Sequence, residues 1–274
     1  MNVRQLAKRS PLSRIAILQA RARAVTSHER HEAMRSLRDS AKEVYNRLSG
    51  LLPAGAAGAL DTALDSFRTW SGPFNGQNAR QQIIRDLVSS LKIEQFVETG
   101  TFRGTTTEFL ANLLGAPVFT VESQPRYFLV AKHRLAQYPW VTVELGDSRS
   151  FLRCLASKEE LRRRRTLFYL DAHWERDLPL RDELAIIREA WTNAVVVIDD
   201  FEVPDDPGYA FDDYGPGQRI SVDNLPKLPG WALLFPSVRS GEETGARRGC
   251  AVLASPSLAF EIATVPTLRG RIQD

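Results

Sequence analysis

Long apolar runs are missing from this chain. No stretch of about 18 uncharged apolar residues occurs, so a membrane-crossing helix is not expected. Cysteine is scarce: Cys154 and Cys250 are the only two, far apart and each among apolar neighbours. That pattern excludes a disulfide scaffold and suits buried thiols in a reducing compartment. Charge of one sign is also lacking. Lys and Arg total 36 against 33 Asp and Glu, a net charge of +3, which is too small for a polyelectrolyte binder. Aromatics are absent before Tyr45, which removes stacking platforms from the amino-terminal stretch and argues against nucleic acid as a partner. That stretch also lacks the compact apolar segment of a secretory signal, so a cytoplasmic location is the expectation.

What is present divides in two. Over residues 1–75 the chain carries Arg4, Lys8, Arg9, Arg14, Arg21 and Arg23 before its first acid, Glu29. Apolar residues recur there at helical spacing and predict an amphipathic helical extension. Pro53-Ala-Gly-Ala-Ala-Gly58 reads as a linker or loose turn. A basic arm for an acidic surface is one reading. A solvated or dimerising helical face, giving a homo-oligomer, is the preferred one.

Residues 76–274 alternate strand and helix. Strands are expected at Gln95–Thr99, Val118–Glu122, Val141–Leu145, 167–171 and Ala194–Asp199, with helices at 79–91, Thr105–Leu114, 125–137, Ser148–Ala156 and 179–191. Such alternation implies a parallel sheet covered on both faces. Segments 231–235 and Cys250–Ala254 add a closing antiparallel hairpin. The expected fold is α/β: a Rossmann-like, mostly parallel seven-stranded sheet with helices on both faces.

The most informative stretch is Phe96-Val-Glu-Thr-Gly-Thr-Phe-Arg-Gly-Thr-Thr-Thr-Glu-Phe-Leu110, a strand, a glycine turn and a helix start. Gly100 allows a sharp turn, Gly104 allows close approach, and the threonines offer caps for the helix amides. Ligands of open parallel sheets bind beyond the carboxyl ends of the strands. Those ends carry Glu98, Glu122, Asp147, Asp171 and the pair Asp199-Asp200, all acidic. Glu122 follows Gly100 by 22 residues, the spacing of an acid that holds a ribose diol. A dinucleotide fingerprint needs a third, central glycine, and Phe102 stands there. Glu98 would also repel a diphosphate, whereas it suits an ammonium group. An adenosyl cofactor is therefore favoured, with an NAD-linked oxidoreductase as the alternative and a non-catalytic interaction protein as a third reading.

The series Glu98-Thr-Gly-Thr-Phe-Arg-Gly104, Glu122, Gly146-Asp-Ser148 and Asp171 resembles the motifs of class I S-adenosylmethionine-dependent methyltransferases over residues 79–256. The resemblance implies that Glu98, Gly100 and Thr101 line the methionine part of the cofactor, together with Phe102, Gly104 and Thr105 of the same turn. Glu122, with Ser123, would hold the ribose. Asp147 and Ser148 would flank the adenine, and Asp171 would close the set.

The second half, Leu170-Asp-Ala-His-Trp174 and Val197-Ile-Asp-Asp-Phe201, resembles the metal-dependent sugar O-methyltransferases related to macrocin O-methyltransferase and the neighbouring cephalosporin-hydroxylase-like group. It implies a magnesium ion on Asp171, Asp199 and Asp200, methyl transfer to a hydroxyl, and a small-molecule or saccharide acceptor. Neighbouring strand ends lie about 5 Å apart, so three carboxylates from them can converge on a hard cation. His173 is a candidate general base beside Asp171, or a packing histidine. Trp174 could floor a pocket. Residues 202–217, rich in Pro, Gly, Asp and Tyr, read as a lid whose Tyr209, Phe211 and Tyr214 could stack on an acceptor, or as a structural crossover. The run Arg162-Arg163-Arg164-Arg165 reads as a solvated loop by a helix end rather than a phosphate patch.

Overall fold

Residues 195–198, all Val or Ile, form the centre of a sheet buried on both faces. Val195 and Val197 pack into one core layer, while Val196 and Ile198 pack into the other. Successive strand side chains point to opposite faces, so a continuous apolar run is what a doubly covered strand requires. The computed structural model describes residues 52–65, 72–173 and 177–272. The amino-terminal helices and the oligomer contact expected in them lie outside these residues, as does Trp174.

Residues 54–274 cluster as one compact unit. Its elements in order are α1 (Ala54–Asp65), α2 (Asn78–Leu91), β1 (Gln95–Thr99), α3 (Thr105–Leu114), β2 (Val118–Glu122), α4 (Pro125–Leu135), β3 (Val141–Leu145), α5 (Ser148–Ala156), α6 (Glu159–Arg162), β4 (Thr166–Leu170), α7 (Leu180–Ala190), β5 (Ala194–Asp199), β6 (Ala232–Pro236), β7 (Cys250–Ala254), α8 (Ala259–Ile262) and β8 (Leu268–Ile272). The strand order is β3-β2-β1-β4-β5-β7-β6-β8. The first five strands pair in parallel and the last three pairings are antiparallel. The order reverses at β1, between β2 and β4, which opens a crevice at the carboxyl ends of these strands.

The sheet thus has eight strands rather than the expected seven. The extra one, Leu268-Arg-Gly-Arg-Ile272, has only two apolar residues and a central glycine, a weak strand signal. Gly270 is required because a Cβ there would lie 2.4 Å from the Leu233 carbonyl oxygen of β6. The linker expected at residues 53–58 is also corrected, since α1 is a 12-residue helix. Its glycine has a packing reason: a Cβ on Gly58 would stand 3.1 Å from the Arg126 carbonyl oxygen and from Leu129 of α4. Asp61 of α1 is buried and accepts hydrogen bonds from Arg103 at 2.9 Å and Arg126 at 2.5 Å. Cys250 is buried as expected, but Cys154 on α5 is exposed. Arg165, at the amino end of β4, is tied to Glu261 at 2.7 Å, and Arg163 pairs with Glu159. Arg165 stands before β4, at the opposite strand end from the crevice.

Candidate functional site

The β1–α3 turn is built on three residues of positive φ: Gly100 at 86°, Phe102 at 50° and Gly104 at 75°. A Cβ on Gly100 would lie 2.2 Å from the Asp171 carbonyl oxygen, so only glycine lets β1 and the end of β4 stay this close. A Cβ on Gly104 would press to 3.1 Å on Leu135 of α4. Phe102 takes the left-handed conformation that a glycine would have taken, at a cost of about 1–2 kcal/mol. The absent central glycine therefore does not abolish the turn. Its replacement adds an exposed ring against Tyr127, with centroids 4.5 Å apart. The expected threonine caps do not form, and no side chain caps the amino end of α3. Thr106 Oγ1 instead accepts from the Phe74 amide, and Thr107 turns inward.

Two acids flank this turn. Glu98 is 1% exposed, and its Oε2 accepts from Thr107 Oγ1 at 2.5 Å and Thr120 Oγ1 at 2.7 Å. Burial pushes its carboxyl up to about 7 despite those bonds. Glu122 accepts from the Phe102 amide at 2.7 Å through one oxygen and the Gln124 amide at 2.8 Å through the other. Burial raises it too. Each oxygen retains a lone pair for a further donor. Thr101 is buried on Thr120 at 2.6 Å, Thr105 is half-buried and Ser123 is exposed. At the end of β3, Asp147 caps α5 by accepting from the Ser150 amide at 3.0 Å and pairs with Arg149 at 2.9 Å. Burial opposes its charge, but the Ser150 amide and Arg149 together hold it below the usual carboxylate range. Ser148 beside it is buried.

Beyond β4 and β5 the expected carboxylates part company. Asp199 is 2% exposed and bound by Arg80 of α2, with Nη1 to Oδ1 at 2.5 Å. Arg80, itself 1% exposed, also donates to Tyr169 Oη at 3.1 Å and the Arg248 carbonyl at 2.7 Å. Burial would raise Asp199, but Arg80 more than offsets it and keeps the carboxyl low. Asp200 has a left-handed backbone, with φ at 52°. Its Oδ1 accepts from Arg248 Nε, and the same guanidinium holds Asp212. Asp212 in turn accepts from Tyr214 Oη at 2.5 Å, which also reaches the His173 carbonyl at 3.2 Å. Burial and neighbouring Asp199 push Asp200 up to about 7. Burial and then Asp199, Asp200 and Glu98 raise Asp171 well above its usual range. His173 is 4% exposed, and burial lowers its pKa, so it is neutral at neutral pH.

Asp171, His173 and Asp200 each bring a ligand atom within 4.8 Å of the others. Asp199 is not in this group. Sequence reasoning missed Arg80 and Arg248, which decide where the two adjacent acids face. Neither sits in a motif, because each acts across 119 and 48 residues of chain. The lid residues also differ from expectation. Tyr209 is buried with its hydroxyl on the Val238 carbonyl, and Phe211 stacks under Arg219 at 4.6 Å, so neither ring is offered freely to an acceptor.

A reversal at β1, five parallel strands and an antiparallel β7 inserted between β5 and β6 make this a Rossmann-like α/β fold with an antiparallel edge. Among solved structures, the chain is similar to cofactor-bound Rv0187 from MTB, with a TM-score of 0.50 and 21% identity over 80% of this chain and 96% of that one. It is also similar to the O-methyltransferase TomG from Streptomyces achromogenes in complex with SAM, at 0.47 and 18% over 78% and 96%. A third is the O-methyltransferase from Bacillus cereus in complex with SAH, at 0.48 and 14% over 78% and 97%. No protein-family model and no curated protein matches the chain.

Proposed function

We propose that this chain transfers a methyl group from S-adenosylmethionine to a hydroxyl of a small-molecule or saccharide acceptor. The observation that carries the reading is Glu122: a carboxylate fixed by the Phe102 and Gln124 amides at the mouth of a glycine turn, with lone pairs left for a ribose diol. The rest of the crevice fits the same cofactor. The uncapped amino end of α3 offers amides to an amino-acid carboxylate. Glu98 supplies a buried countercharge for the ammonium, and Asp147 with Ser148 stands where the adenine edge would lie. When bound, the cofactor supplies an electrophilic methyl carbon on a sulfonium.

The chain's own part is to position and to accept a proton. Asp171, His173 and Asp200 present lone pairs to one small volume beside the turn, since the Asp171 carbonyl packs on Gly100. An acceptor hydroxyl placed there has somewhere to lose its proton. The loop after Asp200 builds an open depression of about 390 Å³ whose lining mixes Asp213, Arg219 and Asn224 with Gly215, Pro216 and Gly217. The magnesium set expected from sequence differs from the set that converges, because Asp199 lies outside the group of Asp171, His173 and Asp200.

Isothermal titration is expected to show S-adenosylmethionine binding, weakened about tenfold in Glu122→Gln, since hydrogen bonds to a charged group contribute about 1.5–3 kcal/mol. No binding at millimolar cofactor overturns the reading, and NADH binding in its place supports the dinucleotide alternative. The pH dependence has a definite sign. Glu98 must be ionised to receive an ammonium and its pKa in the free protein is about 7. Affinity is therefore expected to rise roughly tenfold from about pH 6 to about pH 8, one pKa unit corresponding to a factor of ten. Glu98→Gln should flatten that profile, and a profile unchanged by the substitution removes Glu98 from the ammonium site.

A further inference from the structure

We propose that Asp171, His173 and Asp200 form a divalent-cation site of mixed oxygen and nitrogen donors that prefers a transition-metal ion such as Mn²⁺ or Co²⁺ over Mg²⁺, with Asp199 outside the ligand set. The three residues come from two neighbouring strand ends. Asp171 and His173 follow β4, and Asp200 follows β5. Their ligand atoms lie within 4.8 Å of one another. Donors around an ion at about 2.1 Å are spaced roughly 3–4 Å apart, so small side-chain rotations close the set.

Acidic clusters are common, and this one has more than its acids. His173 is 4% exposed, yet its Nε2 has no hydrogen-bond partner among the described residues. A buried ring nitrogen left without a partner costs about 1–3 kcal/mol, a cost that a bound cation removes. Likewise, no hydrogen-bond donor among the described residues reaches the Asp171 carboxylate. Asp200 is held from one side only: Arg248 takes Oδ1, and Oδ2 is left for another partner. Its backbone is left-handed, a conformation that Asp tolerates.

Asp199 fails as a ligand for the complementary reason. Its Oδ1 already receives Arg80 and the Asp200 amide at 2.9 Å. Arg80 is fixed by two further acceptors. Asp199 is also not among the side chains whose ligand atoms converge within 4.8 Å of one another.

The donor set decides the metal class. Three carboxylates make a hard, strongly anionic site suited to Mg²⁺, which also keeps most of its water. Exchanging one carboxylate for imidazole lowers the negative charge and adds a borderline donor that favours first-row transition ions. A cation so placed would lower the pKa of an acceptor hydroxyl. That use rests on the methyl-transfer reading, whereas occupancy of the site does not.

The test uses full-length protein stripped with chelator, without acceptor. Co²⁺ titration followed by visible absorption is expected to give one site, with Mg²⁺ competing at least tenfold more weakly. In the unsubstituted protein loaded with Mn²⁺, electron spin-echo modulation is expected to report a directly bound nitrogen, a readout that needs no variant. His173→Gln should abolish that signal and weaken Co²⁺ at least tenfold. Asp199→Asn, checked for folding by circular dichroism, should keep Co²⁺ affinity within about threefold. Equal affinity for Mg²⁺ and Co²⁺, no nitrogen modulation, or a loss in Asp199→Asn as large as in Asp171→Asn would each overturn the proposal. Titration of S-adenosylmethionine into the same stripped sample reports separately on the cofactor crevice, so the two readings fail independently.

Discussion

Arg80→Met is expected to cost about 3–5 kcal/mol of folding stability, because it leaves one charge of a buried pair without its partner. Arg80 and Asp199 have side chains 2% and 3% exposed. The guanidinium also donates to Tyr169 Oη and the Arg248 carbonyl, so its removal takes one donor from each of three acceptors. At about 2–4 °C per kcal/mol for a chain of this size, the melting temperature should fall by roughly 10 °C. The double variant Arg80→Met/Asp199→Leu removes both charges. Apolar replacement of a whole buried pair is close to neutral, so most of the loss should return. Thermal melts of the single and double variants decide the matter. If both lose the same amount, the cost lies in packing and the ion pair is not its source.

The contrast between Arg80 and the strand-end acids shows what a sequence can reveal. Glu98, Glu122, Asp171 and Asp200 were legible because their positions follow from local pattern. A buried strand ends, the chain must turn, and the last residues face the crevice. The ranges of β1, β2, β3, β5, α3 and α5 were legible for the same reason, as period and turn chemistry are local properties. Direction of the side chains was not. Asp199 and Asp200 are adjacent and chemically identical in sequence, and what separates them is two different guanidiniums, Arg80 of α2 on one and Arg248 on the other. The register that places α2 against β5 is a tertiary fact with no signature in either segment. Strand β8 was invisible because an edge strand buries little and tolerates arginine and glycine. Helix α1 was misread because Gly55 and Gly58 resemble a linker until the close approach to α4 is known. Phe102 misled in a different way: its side chain departs from the glycine pattern while its backbone conforms to it.

Glu183→Gln is expected to stabilise the protein at high pH and to leave it unchanged at low pH. Glu183 lies in the first turn of α7, 1% exposed, and burial pushes its carboxyl from 4.5 up to about 7. In the unfolded chain it titrates at the ordinary value, so between these two pKa values the folded state binds more protons. Stability then falls as pH rises, is complete below the unfolded pKa, and is lost by the time pH passes the folded one. The span corresponds to about 3 kcal/mol. The variant should therefore melt with the parent near about pH 5 and exceed it by several degrees near about pH 8. An equal difference at both pH values would exclude ionisation as the cause. Glu98 carries a similar upward shift, and here the proposed cofactor separates the two acids. A bound ammonium compensates Glu98 and leaves Glu183 untouched. Saturating S-adenosylmethionine should remove one part of the alkaline loss in the parent, Glu183→Gln should remove the other, and the two together should give a melting temperature nearly flat across neutral pH.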